Sequence, residues 1–281
     1  MIDEEKEQGS NLNRRAFIGT AAAAGAVLVA CGGAVEEKKT IKLGEKIVRG
    51  PQTAPDGPVI RAGVIGCGGR GTGAAGNFLD AGPSLEVVAL ADTFEDRVEN
   101  CRAKLKEQYD VEIPDERCYV GFDGYKQLLE SEVDYIIIAT PPFFRPAIFE
   151  AAVEARKNIF MEKPVAVDPV GIRSILATSE RADVLGLKIV TGTQRHHEAS
   201  YIETYNRIMD GAIGHIVAAR CYWNQGQLWF REHQDGWSDM DWMIRDWVNW
   251  CWASGDHIVE QHIHNIDVIN WFTNSHPTSA V

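Results

Sequence analysis

One stretch constrains this chain more than any other: Gly66-Cys67-Gly68-Gly69-Arg70-Gly71, set between the apolar run 59–65 and a helical pattern that starts near Thr72. A lone GxGxxG is weak. Between a strand and a helix, with an acidic residue ending the next strand, it reads as the turn of a βαβ unit that accepts a dinucleotide. The acid is Asp92, 21 positions beyond Gly71. Gly66 permits the tight turn, Gly68 lets backbone approach a pyrophosphate, and Gly71 allows helix to pack closely on strand. The pyrophosphate then rests on the N–H groups and positive end of the helix, which makes Gly66, Gly68, Gly69, Arg70 and Gly71 the candidate cofactor loop. A purely structural glycine turn is the competing reading. Asp92 accepts from ribose hydroxyls and repels a 2′-phosphate, and Thr93 rather than Arg follows it, so NAD is preferred. Arg97, a turn later, keeps NADP open.

The rest of this half fits the same unit. Apolar runs at 59–65, 85–91, 135–139, 158–161 and 188–191 predict strands, with helical patterns over 95–108, 146–156 and 169–182 between them. Such alternation predicts an α/β fold with a doubly wound parallel sheet. Hydrophobic residues at 45% and charged residues at 24% are globular averages, so the bulk of the chain is not disordered. The net charge of −12 argues against nucleic acid or an anionic membrane surface as main partner.

The N-terminus reads differently. Arg14-Arg15 precedes a weakly apolar run, 16–30, too short to span a bilayer. That layout is a secretory signal over residues 1–31, and the arginine pair resembles the twin-arginine type. Export to the periplasm follows as the expectation. Leu28-Val29-Ala30-Cys31 resembles a lipobox, which makes Cys31 a candidate lipid anchor, with simple cleavage near Ala30 as the alternative. Residues 32–58, rich in Gly, Pro and charge, read as a tether.

Ala139-Thr140-Pro141-Pro142, Glu162-Lys163-Pro164, Gly192-Thr193-Gln194-Arg195 and the stretch 255–267 resemble the Gfo/Idh/MocA family of oxidoreductases. The resemblance covers 59–281. It implies a Rossmann domain over 59–193, followed from 194 by an α+β domain with an open, mainly antiparallel sheet. It also implies catalytic roles for Lys163 and His264, with Glu260 where many members carry Asp, and a cis peptide before Pro164. Thr140, Pro141, Glu162, Lys163 and Gln194 join the cofactor set. Two departures stand out. Phe143-Phe144-Arg145 replaces the more usual His-Phe-His, which alters charge near the cofactor. The chain also ends at 277–281, where members are only starting their sheet, so it is expected to be C-terminally incomplete; the full-length protein is expected to be a homo-oligomer.

A helix predicted over 257–272 places His257, Glu260, His264, Asp267 and Trp271 on one stripe and Ile258, Val259, Ile263, Ile266 and Ile269 on the opposite, core-facing one. His262 falls in the apolar stripe and reads as a hydrogen-bonded core histidine. His257, Glu260 and His264 also form a weak metal pattern, set aside because no cysteine joins it. All eight tryptophans lie between Trp223 and Trp271. Crowded into a predicted loop over 224–253 among Asp239, Asp241, Arg245 and Asp246, they read as a wall for sugar rings. The candidate substrate residues are Lys163, Arg195, Arg245, Trp247, Trp250 and His264. Three functions fit: an NAD(P)-dependent oxidoreductase acting on a hydroxyl carbon of a sugar, glycoside or cyclitol; a glycosidase using transient oxidation of the ring; and a non-catalytic carbohydrate-binding protein with a vestigial nucleotide fold.

Overall fold

In the computed structural model, residues 44–49 and 56–280 are described. The predicted signal segment, Cys31 and most of the predicted tether lie outside them. Six parallel strands form one sheet in the order β3-β2-β1-β4-β5-β6. The strands are β1 (Ile60–Ile65), β2 (Leu85–Asp92), β3 (Cys118–Val120), β4 (Tyr135–Ile138), β5 (Asn158–Met161) and β6 (Ile189–Thr191). The crossover helices are α1 (Gly69–Asp80), α2 (Glu95–Tyr109), α3 (Gly124–Glu130), α4 (Arg145–Glu154) and α5 (Pro169–Val184). The order reverses between β1 and β4, and ligands of such sheets bind outside the carboxyl ends at that point.

Both faces of the sheet are covered, and β4 shows why three Ile follow one another in it. Ile136 and Ile138 face a core with Phe149, Ile159 and Met161. Ile137, pointing the other way, joins Val64, Leu90 and Leu105. Each such side chain contributes about 1.5–3 kcal/mol on burial. Helix starts are locally encoded: the Asp168 carboxylate accepts from the Gly171 N–H at 2.7 Å, and Pro169 occupies the first turn of α5.

Beyond β6 come α6 (Ala199–Met209), α7 (Asp239–Arg245), the short α8 (Cys251–Ser254), a π turn (Ile258–His262) and α9 (Ile263–Thr273). Among the described residues no strand follows β6, and residues 215–234 carry no regular structure. The predicted core-facing stripe is also revised. In the turn and α9 only Glu260 and His264 are buried, while Ile258 is exposed and Val259, Ile263, Ile266 and Ile269 are half-buried. Of the predicted tether, residues 44–49 lie against α6: the Asn206 side chain exchanges two 2.9 Å hydrogen bonds with the backbone of Ile47.

Candidate active site

The glycine loop is built by close approach. At Gly66, with φ +94°, a Cβ would come within 2.7 Å of the Thr140 nitrogen; at Gly71 it would meet the Gly66 carbonyl oxygen at 1.8 Å. Above Gly68 and Gly69 there is open space. Helix α1 has no side-chain cap and no acidic residue in its first turn, so its N-terminal N–H groups are left for an anion. Asp92 secures the loop itself: its Oδ2 accepts from the Cys67 N–H at 2.7 Å and its Oδ1 from the Phe94 N–H at 3.0 Å. Burial raises the Asp92 carboxyl, opposed by those two bonds and by Arg97.

At the other end of the loop, Arg70 Nε meets Glu162 Oε1 at 2.5 Å. The Lys163–Pro164 peptide is cis. Lys163 leaves the end of β5 and its Nζ donates to Glu260 twice, to the carbonyl oxygen at 2.5 Å and to Oε1 at 2.8 Å. Glu260 Oε2 is buried and unpartnered. Burial raises the Glu260 carboxyl, while Lys163 and then Arg145 pull it down. A turn onward, His264 is buried and stacks on Trp223 at 5.7 Å. Burial pushes it down to about 4, helped by the Lys163 and Arg195 cations, so it is neutral at pH 7.

A cavity of about 910 Å³ runs along these groups, from Phe94, Asp92 and Arg97 past Gly68 and Arg70 to Thr140, Lys163 and Glu260. It suits a dinucleotide: long, crossed by an uncapped helix end, and bordered by a buried Thr140 hydroxyl without a partner.

The tryptophan-rich segment closes part of this cavity. Ser238 and Asp241 form a capping box that starts α7 and sets Arg245 in its last turn. Arg245 then grips Asp96 with two bonds, 3.0 and 2.5 Å, sandwiched between the rings of Phe94 at 3.8 Å and Trp237 at 4.7 Å. It therefore sits at the far end from Lys163, beside Asp92, and not beside the acid–base groups. The tryptophans do not make one wall. Trp229 and Trp247 line the cavity; Trp242 and Trp250 pack edge-on at 5.2 Å; Trp252 packs on Phe143; Trp271 stacks on His196.

Gly66, Gly68, Gly69, Arg70, Asp92, Thr140, Pro141, Glu162, Lys163, Arg245, Trp247 and Glu260 thus line one cavity. Gly71 acts behind it, through packing. Gln194, Arg195, Trp250 and His264 are not among the lining residues. Arg195 bonds Asn265 and lies over Tyr201 and Trp223. His257 turns to the Trp223 carbonyl at 3.1 Å, because the π turn displaces it from the α-helical stripe, and His262 meets Cys221 Sγ at 3.4 Å. Sequence reasoning missed Phe94 and Arg231, which line the cavity, and Asp96, which holds Arg245; only long-range contacts reveal them.

Residues 60–189 match a family described as "Oxidoreductase family, NAD-binding Rossmann fold", GFO_IDH_MocA. Through this domain the chain is similar to the Gfo/Idh/MocA family. Among curated relatives, a glycosyl hydrolase family 109 protein of Phocaeicola vulgatus is 27% identical over 63% of this chain and 33% of its own length. An inositol 2-dehydrogenase of Klebsiella pneumoniae is 27% identical over 76% of this chain and 55% of its own. The chain thus spans between a third and about half of the relatives it matches. In fold it is similar to scyllo-inositol dehydrogenase from Lactobacillus casei, solved with NAD(H) and scyllo-inositol: TM-score 0.55 at 22% identity, over 77% of this chain and 56% of that one.

Proposed function

We propose that this chain is a Gfo/Idh/MocA-type, NAD(P)-dependent oxidoreductase that moves a hydride between its nicotinamide and a hydroxyl carbon of a sugar, glycoside or cyclitol. The observation that carries this reading is the Lys163–Glu260 pair in the same cavity as the glycine loop and Asp92. When bound, the nicotinamide supplies the hydride acceptor. The chain's own residues do the rest. Lys163 holds the substrate oxygen and passes its proton; Glu260 keeps the ammonium aimed at that oxygen; neutral His264, one turn away, takes up the proton on oxidation. The inositol dehydrogenases among the relatives support the substrate class. Mass spectrometry of small molecules released on denaturation tests it: a stoichiometric nicotinamide dinucleotide supports the reading, and a full-length protein that neither carries nor binds one refutes it.

A second reading is favoured by the relatives named glycosyl hydrolase family 109. Here oxidation is transient, the neighbouring C–H becomes acidic, the aglycone is eliminated, water adds in its place, and the hydride returns, with net hydrolysis. NADH that accumulates with product sugar separates the first reading from this one.

Cofactor choice rests on Asp92, which lines the adenosine end. NAD is expected to bind more tightly than NADP, and Asp92→Asn, which keeps an acceptor for the Cys67 N–H, to narrow the gap by about tenfold, or 1.4 kcal/mol. Titration showing tighter NADP binding in the native protein would overturn this.

We also infer export by the twin-arginine route, because a compartment without free NAD requires a protein folded around its cofactor before it crosses. A lipid anchor at Cys31 and a homo-oligomeric full-length protein belong to the same proposal. Arg14→Lys with Arg15→Lys is expected to retain the precursor in the cytoplasm; normal export of that variant refutes the route.

A further inference from the structure

Arg145 has no part in the proton transfers above, yet it is the one buried Lys or Arg among the described residues. It opens α4, and all its hydrogen bonds go to main-chain carbonyls of two loops. Nη1 donates to the carbonyl of Glu162 at 2.9 Å and to that of Pro164 at 2.5 Å, the residues on either side of Lys163. Nε and Nη2 both donate to the carbonyl of Thr140, at 2.9 and 2.6 Å. These loops have left the sheet. The last ladder bonds are Ala139 N–H to Ile65 and Glu162 N–H to Ile138, at 2.8 and 2.9 Å. Past that point nothing in the sheet fixes the direction of Lys163, and buried carbonyls without donors would be costly.

We propose that Arg145 is a positioning residue for Lys163: its planar fork grips the backbone before and after the lysine and ties it to the loop that follows β4.

A guanidinium suits this place and an ammonium does not. Three carbonyls on two loops need donors at fixed angles in one plane, which the fork supplies and a point charge on a flexible stem cannot. The cation is also retained. Burial lowers Arg145 to about 10, opposed by the carboxylates of Glu260 and Glu162, so it keeps its charge at neutral pH. Held this way, Lys163 has only one partner to reach for, Glu260, and its side chain is 15% exposed. The replacement of the more usual histidine by Arg145 therefore acts on the direction of the lysine as well as placing a cation at the cavity wall.

The test uses Arg145→Lys and Arg145→Gln in the full-length protein with two readouts. The first is steady-state kinetics of the NAD(P)-dependent reaction. A displacement of about 1 Å costs up to about 10²-fold, so kcat is expected to fall about 10- to 100-fold in both variants, with NAD affinity within about threefold of the native value. The second needs no substrate. Amidination of Lys163 with methyl acetimidate, read by peptide mass spectrometry, is expected to speed up at least about threefold relative to the half-buried Lys157 of the same molecule, whose Nζ donates to the Val133 carbonyl at 2.7 Å, because a released ammonium is open to reagent. General unfolding would raise both lysines alike, so the ratio isolates Lys163. An unchanged ratio in either folded variant overturns the proposal, whatever happens to kcat, and so does a kcat within twofold of native. If the native protein oxidises nothing, the proposed function fails while the labelling ratio still decides the role of Arg145.

Discussion

Lys163→Ala is expected to lower kcat by about 10² to 10⁴ while leaving NAD affinity nearly intact, and His264→Ala to do the same, because each removes acid–base help from the step in which the hydroxyl proton moves. Lys163 is placed for this by three independent contacts: the end of β5 behind it, and Glu260 through both a carbonyl and a carboxylate oxygen in front. His264 does not line the cavity, but its environment fixes its protonation state. Its pKa of about 4 keeps it neutral and able to accept. Activity in the oxidative direction should therefore fall, as far as this group is concerned, only as pH drops through about 4. The same shift acts on stability. His264 in the folded chain sits below its unfolded value of about 6.5, so its contribution is complete above that pH and is lost as pH falls toward the folded value. His264→Gln should flatten that acid-side loss in thermal melts. If the two residues act as a unit, the double Lys163→Ala, His264→Ala variant should be little worse than the worse single one. Full activity in either single variant would show that Glu260 or another group carries the proton.

Gly71→Ala should damage both fold and cofactor binding. A methyl there meets the Gly66 carbonyl oxygen at 1.8 Å and the carbonyl carbon at 3.0 Å, and neither atom belongs to a flexible side chain. Relief requires α1 to move off β1, and with it the uncapped N–H groups that face the pyrophosphate. Overpacking of this kind costs roughly 1–3 kcal/mol of stability. NAD affinity is expected to fall at least about tenfold, or 1.4 kcal/mol. Gly68→Ala is the contrasting variant. Nothing lies within 4 Å of its added methyl, so stability is retained while the methyl intrudes on the path of the pyrophosphate. Urea unfolding and isothermal titration measured on both variants check the pair; equal stability of Gly71→Ala and native protein would remove the packing argument.

The nucleotide half was legible because its signals are local. Apolar runs bounded by turn residues, with the glycine loop in register, are read within a dozen positions, and the strands at 59–65, 85–91 and 158–161 reappear within a residue or so as β1, β2 and β5. The three-residue β3 and the helix α3 were missed because they are too short to show a period. Beyond β6 legibility drops. The π turn at Ile258–His262 adds a residue to one helical turn, so a stripe drawn at 3.6 residues aligns Glu260 with His264 but misplaces His257. Arg245 looked like a sugar contact because its tryptophan neighbours are near in sequence, yet its partner Asp96 is 149 residues away. For Arg145 the partners are carbonyl oxygens, which every residue has and no sequence pattern marks.

The account is tested most directly by single-turnover reaction of the full-length protein with a polyol or glycoside deuterated at its carbinol carbons, followed by mass spectrometric and NMR analysis of the released dinucleotide. Transfer of one deuterium to C4 of the nicotinamide, abolished in Lys163→Ala, is the predicted result. Product or binding without any deuterium at C4, across a panel of cyclitols, sugars and glycosides, would contradict it.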